Sequence, residues 1–303
     1  MNRKAVLAFV LIAVIAISGC TAQNNGGDTG DNGDQQQPQV DFTQTDGITM
    51  RFSSVAPEYF EGQTATFRLI AENTGESEAT LKKAELTRQP WLANKQDTGQ
   101  YTLRGVDRSV GSAGQAHQYT FTKTLSQSLF DLSQGQSDTY EVGARLVYGY
   151  STSARTSLTV MDRETFTSEQ PTQQPLQTEW TGAPVKVSLQ GSTPVQASAG
   201  QTTIKVKIQN VGNGHIKESG QAGVVTVDRM ELATSGTGSF NCNLQGNTVK
   251  IYQGGSRTLY CTLNINSMSG GQTSVTVISE ISYDYVETKT TTVKVNGQAS
   301  SSN

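Results

Sequence analysis

The sequence predicts an all-β protein made of two tandem β-sandwiches. Three observations carry that prediction. Short runs of alternating apolar and polar residues are separated by Gly, Asn and Ser, the pattern of half-buried strands and turns. The hydrophobic fraction is 34% and the charged fraction 16% over 303 residues, with 30 glycines. That is low for one large core but sufficient for small sandwiches that keep one face of each strand in water. The same order of landmarks also occurs twice along the chain, the mark of an internal repeat.

The repeat fixes the organisation. Gly62-Gln63-Thr64 returns as Gly200-Gln201-Thr202, each opening an alternating strand, and Asn73-Thr74-Gly75 returns as Asn210-Val211-Gly212, each closing it. Tyr148-Gly149-Tyr150 returns as Tyr283-Asp284-Tyr285. The offsets are 200 − 62 = 138, 210 − 73 = 137 and 283 − 148 = 135. Residues 47–162 and 183–297 are therefore the expected sandwiches. In each, a short polar turn after Tyr-x-Tyr is expected to lead into a last strand, Leu158-Thr159-Val160 or Val293-Lys294-Val295, closing a final hairpin. Tyr148, Tyr150, Tyr283 and Tyr285 share the inward parity of Leu146 and Ile281, which assigns them to the core or its rim.

Taken from the start, the chain opens with Asn2-Arg3-Lys4, a wholly apolar run over residues 5–17, and Ile17-Ser18-Gly19-Cys20. The run is about 13 residues where a membrane-spanning helix needs roughly 20, which favours a secretory signal over a permanent anchor. The closing box is similar to that of bacterial and archaeal lipoproteins. By that resemblance residues 1–19 are a cleaved signal peptide and Cys20 carries a lipid; an uncleaved anchor is the alternative. Residues 20–46 are rich in Gly, Asn, Asp and Gln and read as a flexible tether. About 20 such residues reach roughly 25 Å. Asp28, Asp31 and Asp34 within it lack the alternating acidic positions of a calcium loop, and no metal site is assigned.

In the first sandwich, alternation marks strands at residues 48–52, 65–71, 119–121, 140–148 and 157–160, with a short crossover turn over residues 125–132. Residues 163–182 hold Pro171, Pro175 and paired glutamines without alternation and read as an extended linker. Residues 298–303 read as a disordered polar tail.

Of the three cysteines, Cys20 is assigned to lipid, which leaves Cys242 and Cys261. Cys242 shares a strand face with Phe240 and Leu244, and Cys261 with Leu259 and Leu263. Both thiols are thus expected to face one core. Outside the cell a disulfide is the expected state, two buried free thiols being the alternative. The first copy offers Tyr119 and Phe121 where the second has Cys261, since an aromatic can fill the volume that a disulfide bridges.

An alternating strand opened by Gly-Gln-Thr and closed by Asn-x-Gly, with a late Tyr-x-Tyr and a terminal Val-x-Val, resembles the immunoglobulin-like modules of the CARDB type. Such modules occur in archaeal and bacterial surface proteins, often behind a lipoprotein box, and an archaeal source is preferred. The resemblance covers both sandwiches. It implies surface display and adhesion, and supplies no catalytic residue.

Chemistry is sparse elsewhere too. His117 and His215 have no Ser, Cys or carboxylate at a motif spacing, and no phosphate loop, Gly-x-Ser-x-Gly or His-Glu-x-x-His occurs. A formal net charge of -3 with scattered basic residues argues against a nucleic-acid partner. No cofactor is expected. Trp91 and Tyr101 are candidate surface-binding aromatics; the alternative for Trp91 is that it anchors its loop on the sandwich edge. Trp180 is expected to pack at the entry of the second sandwich.

The expectation is a non-catalytic protein held on the outer face of the cell membrane by lipid on Cys20, binding an unknown surface protein or glycan. An accessory subunit of an envelope complex and a solute- or glycan-binding lipoprotein are the rivals.

Overall fold

The computed structural model describes residues 47–297 apart from positions 94, 131, 220, 221, 235, 245, 253 and 254. The expected signal peptide, Cys20, tether and tail lie outside the described residues. The chain is all-β, with 65% strand and 7% helix, arranged as several separate sheets with no barrel among the described residues. That is the β-sandwich class expected of the alternating pattern.

The first half contributes β1 (Ile48–Ser54), β2 (Glu58–Phe60), β3 (Thr64–Asn73), β4 (Ala79–Thr87), β5 (Gln96–Asp97), β6 (Tyr101–Leu103), β7 (Ala116–Thr124) and β8 (Ser137–Asp162). Then follow α1 (Arg163–Glu169), β9 (Gln174–Pro175) and β10 (Thr178–Trp180). The second half contributes β11 (Val185–Gln190), β12 (Ser192–Thr193), β13 (Val195–Ala197), β14 (Gln201–Asn210), β15 (His215–Ile216) and β16 (Glu218–Ser219). It closes with β17 (Ala222–Leu232), β18 (Gly238–Cys242), β19 (Thr248–Tyr252), β20 (Ser256–Ile265) and β21 (Gln272–Asn296).

Each half owns one small sheet, β1-β3-β7 in the first and β11-β14-β20-β18 in the second. The matching landmarks fall on matching strands: β3 follows Gly62-Gln63, β14 begins on Gln201 after Gly200, and both end on the repeated asparagine. Their inner faces carry Phe67, Leu69 and Ala71 in one case and Ile204, Val206 and Ile208 in the other, all buried. Burying one such large side chain stabilises the fold by about 1.5–3 kcal/mol.

The opposing layer is shared. β8 and β21 do not turn back after their Tyr-x-Tyr pairs. They continue as strands of 26 and 25 residues and pair antiparallel along their length, from Gln272 opposite Met161 to Asn296 opposite Ser137. The expected polar turns and final hairpins are therefore replaced by one long ladder. Its physical basis is that residues 151–156 keep the inward/outward alternation with small polar groups. Thr152 and Thr156 face inward and are buried, Thr152 Oγ1 donating to the Val185 carbonyl at 2.7 Å and Thr156 Oγ1 lying 2.8 Å from Thr178 Oγ1.

The consequence is an exchange of strands within one chain. The last stretch of β21 pairs with the start of β8, is flanked by β2, and is packed on by β1. Reciprocally, the last stretch of β8 is flanked by β10 and β13 and packed on by β11. Each half's small sheet is covered by strand from the other half, and the described residues all belong to one compact unit.

The expected extended linker differs as well. Asp162 caps α1, its Oδ1 accepting from Thr165 N at 2.7 Å, and Gln170 ends that helix with φ of 46°. β10 then adds to β8.

Candidate functional site

The centre of the long ladder, where Gly149 stands opposite Asp284, has two different faces. Inward lie the four repeated tyrosines. Tyr148 and Tyr285 have ring centroids 5.7 Å apart, and Tyr150 and Tyr283 6.5 Å. All four are buried, as their parity requires.

Their hydroxyls explain the Asn-x-Gly landmarks. Asn73 Nδ2 donates to the Ser77 and Leu103 carbonyls at 2.8 and 3.0 Å, while its Oδ1 accepts from Gly75 N at 3.2 Å and faces Tyr150 Oη at 3.4 Å. In the second half Asn210 Nδ2 donates to Gly214 O at 2.9 Å, and its Oδ1 accepts from Gly212 N at 3.2 Å and from Tyr285 Oη at 2.8 Å. A side chain at Gly75 would overlap the Tyr150 hydroxyl, and a Cβ at Gly212 would stand 2.7 Å from Tyr285 Oη. Glycine is therefore a packing requirement at both places.

Tyr283 belongs to the same buried network. Thr152 gives its proton to Val185 O, so Tyr283 Oη donates to Thr152 Oγ1 at 3.0 Å and accepts from Val185 N at 3.3 Å. Burial pushes the Tyr148, Tyr150 and Tyr283 phenols well above their ordinary value. They are structural groups, neutral at any physiological pH.

The outer face at the same place is a groove of 730 Å³. Its floor is small and polar, with Thr80, Gly149, Ser151, Thr226 and Ser282 from four adjacent strands. Lys82 Nζ reaches Asp284 Oδ1 at 2.5 Å and Lys217 Nζ stands 3.6 Å from Asp284 Oδ2, with Glu78 and Glu218 at the margins. Ser282 Oγ donates to Asp228 at 3.1 Å. The groove offers hydroxyls and paired charges to a polar ligand.

The aromatic candidates do not form one surface. Trp91, on the short 3-10 turn Pro90–Leu92, is half-buried and packs edge-on against Phe130 at 5.4 Å and Tyr140 at 6.1 Å. Its rings anchor the turn, which is the alternative the sequence offered. Tyr101, on β6, stacks on His117 at 3.8 Å in a separate aromatic group with Tyr119. His117 lies within β7, and His215 is exposed in β15. Trp180 packs against the core from β10 with Lys186 Nζ 5.1 Å above its ring. Among the described residues no group of three His, Cys, Asp or Glu is placed to hold a metal ion.

Cys242 and Cys261 are joined as a disulfide. They stand directly opposite in the adjacent strands β18 and β20. The bridge therefore lies within one sheet: Cys261 is buried, and Cys242 is partly exposed at its edge. In the first half Phe121 of β7, opposite Phe67, occupies the place that Cys261 holds opposite Ile204.

No family model matches the chain, and no curated protein matches it. Among solved structures it is similar to a Porphyromonas gingivalis W83 protein of unknown function, with 13% identity, 72% of this chain and 83% of that one covered, and a TM-score of 0.20. It is also similar to Escherichia coli alpha-2-macroglobulin in its native conformation, with 12% identity and a TM-score of 0.23, covering 83% of this chain and 17% of that one. A third is the collagen binding domain of the Erysipelothrix rhusiopathiae surface protein RspB, with 10% identity, 84% and 94% covered, and a TM-score of 0.11. At these scores none bears on what this chain does.

Proposed function

We propose that this is a non-catalytic surface protein, held on the outer face of the cell membrane by a lipid on Cys20 and presenting two CARDB-like sandwiches for adhesion to a protein or glycan. The observation that carries the reading is the Cys242–Cys261 disulfide, which belongs to an oxidising compartment. It agrees with the positively charged, apolar, Cys-terminated start of the chain. The central groove supports the binding half of the reading, because its small floor lets an extended polar ligand approach four strands at once.

The test is phase partition and protease shaving of intact cells. The native protein is expected in the detergent phase and accessible to protease, and Cys20→Ser in the aqueous phase. A cytosolic protein with free Cys242 and Cys261 thiols sinks the reading. Cross-linking on intact cells then identifies what the sandwiches touch. A stable stoichiometric protein partner surviving mild detergent would replace adhesion with a subunit role in an envelope assembly.

A further inference from the structure

Charge is sorted between the two layers of the second half. All six acidic residues of positions 183–297 stand on β16, β17 and β21 of the large sheet. The small sheet β11-β14-β20-β18 has none and carries Lys186, Lys205, Lys207 and Arg257. Ion pairs follow the acids, with Lys217–Asp284, Arg229–Glu231 and Lys289–Glu287 all along the large sheet. On the small sheet Val187, Val206 and Cys261 point inward and are buried, so Lys186, Lys205, Lys207 and Tyr260, which alternate with them, share the outer face. Ser188 and Thr258 flank Lys207 on the neighbouring strands, and Gln190 and Tyr260 flank Lys205. No aliphatic side chain of these four strands has outward parity.

This face is particular to the second half. Asn73 pairs with Ile48 as Asn210 pairs with Val185, which aligns the two small sheets at the offset 210 − 73 = 137. At that offset Glu72 corresponds to Gln209, Ile70 to Lys207 and Thr49 to Lys186. Across the next strand pair, Thr120 opposite Arg68 corresponds to Tyr260 opposite Lys205. In the first half Glu72 ion-pairs with Arg51 at 2.9 Å. The second half has an amide in place of that acid, two further lysines, and a tyrosine ring that is 64% exposed in place of a threonine. Lys205 Nζ stands 5.9 Å from the centroid of that ring, and Lys186, 5.1 Å over Trp180, marks one margin of the face. Lys205 and Lys207 are rooted about 7 Å apart on one strand, and their mutual repulsion is relieved when an anion lies between them.

We propose that the outer face of β11-β14-β20-β18 binds an acidic polysaccharide, with its carboxylates on Lys205 and Lys207 and a sugar ring on Tyr260. The inference rests on the adhesion reading and gives it a ligand class and a face separate from the groove. An open sheet face admits an extended polymer, the paired lysines suit a repeating negative charge, and the surrounding hydroxyls and amides suit sugar hydroxyls. With one ring and no aliphatic group to enter a bilayer, the face fits a charged glycan better than a lipid surface.

Titration calorimetry of the full-length protein in detergent with polygalacturonate tests this. Lys205→Gln/Lys207→Gln is expected to weaken binding at least about tenfold, and methyl-esterified polygalacturonate, which lacks the charge, to bind the native protein at least about tenfold more weakly. Tyr260→Ala should weaken binding about threefold. Arg68→Gln, on the corresponding face of the first half, should change it by less than about twofold. These side chains point to solvent, so the variants should keep the native urea midpoint. No binding, equal binding of the two polymers, or an equal loss in Arg68→Gln overturns the proposal. So does an affinity for the polymer undiminished in the double variant, including where that variant loses binding to phosphatidylserine mixed micelles instead. If Asp284→Asn abolishes binding and the double variant does not, the ligand sits in the groove: the adhesion reading stands and this inference fails.

Discussion

Replacing Asn73 by alanine tests whether the exchanged strands make the two halves one energetic unit. Asn73 is fully buried, and its amide is the partner of the Ser77 and Leu103 carbonyls and of Gly75 N. Asn73→Ala leaves three backbone groups without that partner, at about 1–3 kcal/mol each when water cannot reach them. Tyr150 Oη keeps the Gly182 carbonyl at 3.3 Å. The expected loss is about 3–5 kcal/mol, a fall in Tm of about 6–20 °C for a unit of this size. Asn210→Ala should lose only about 1–2 kcal/mol, because its site is partly open and water can replace the amide. The assay is urea unfolding followed by fluorescence in Trp180→Phe, which reports Trp91 in the first half, and in Trp91→Phe, which reports Trp180. Both probes should give one transition, shifted equally by Asn73→Ala. If Asn73→Ala moves the Trp91 transition and leaves the Trp180 transition in place, the ladder does not couple the halves and the reasoning fails.

Three further outcomes are expected. Tyr148, Tyr150 and Tyr283 have phenols raised by burial, so above about pH 10 the unfolded chain releases protons that the folded chain retains. Stability is therefore present in full below pH 10 and falls above it by roughly 1.4 kcal/mol per pH unit for each group; ionisation of all ten tyrosines while the protein stays folded would contradict this. Reducing the Cys242–Cys261 bridge, which closes a separation of 19 residues, should lower the urea-extrapolated stability by about 3 kcal/mol, and no shift in the urea midpoint would count against it. Asp284→Asn, which breaks the Lys82 and Lys217 pairs on the outer face, should change stability by less than about 1 kcal/mol, since the pairs are solvent-facing; a larger loss in thermal unfolding would give the groove a structural role.

The landmarks legible in the sequence are those whose reason is local. Asn73 and Asn210, with the glycines two residues on, end equivalent strands and hold equivalent tyrosines because amide, turn and phenol must meet at one point. The strand exchange was not legible. A strand that turns back and one that runs on share the same alternation up to the point of decision, and residues 151–156 have turn-like composition. Their inner threonines are tolerated because Val185 O and Thr178 Oγ1 satisfy them, partners more than 20 residues away. α1 was missed for a different reason. Asp162 three residues before Thr165 is a capping signal, but seven residues without an apolar stripe give no helical period to detect. At the outer face, parity placed Tyr148, Tyr150, Tyr283 and Tyr285 inside and so left Gly149 and Asp284 outside. The groove between them depends on β4 and β17 flanking the ladder, which no local pattern encodes.

The reciprocal loan of β8 and β21 changes what a cut in the backbone can do. Hydrolysis between α1 and β10 would yield two polypeptides and still one particle, each piece keeping the other's terminal segment clasped in its sheet. Separation would require unzipping a 25-residue seam from end to end. Proteolysis at the connection therefore should not release the C-terminal half.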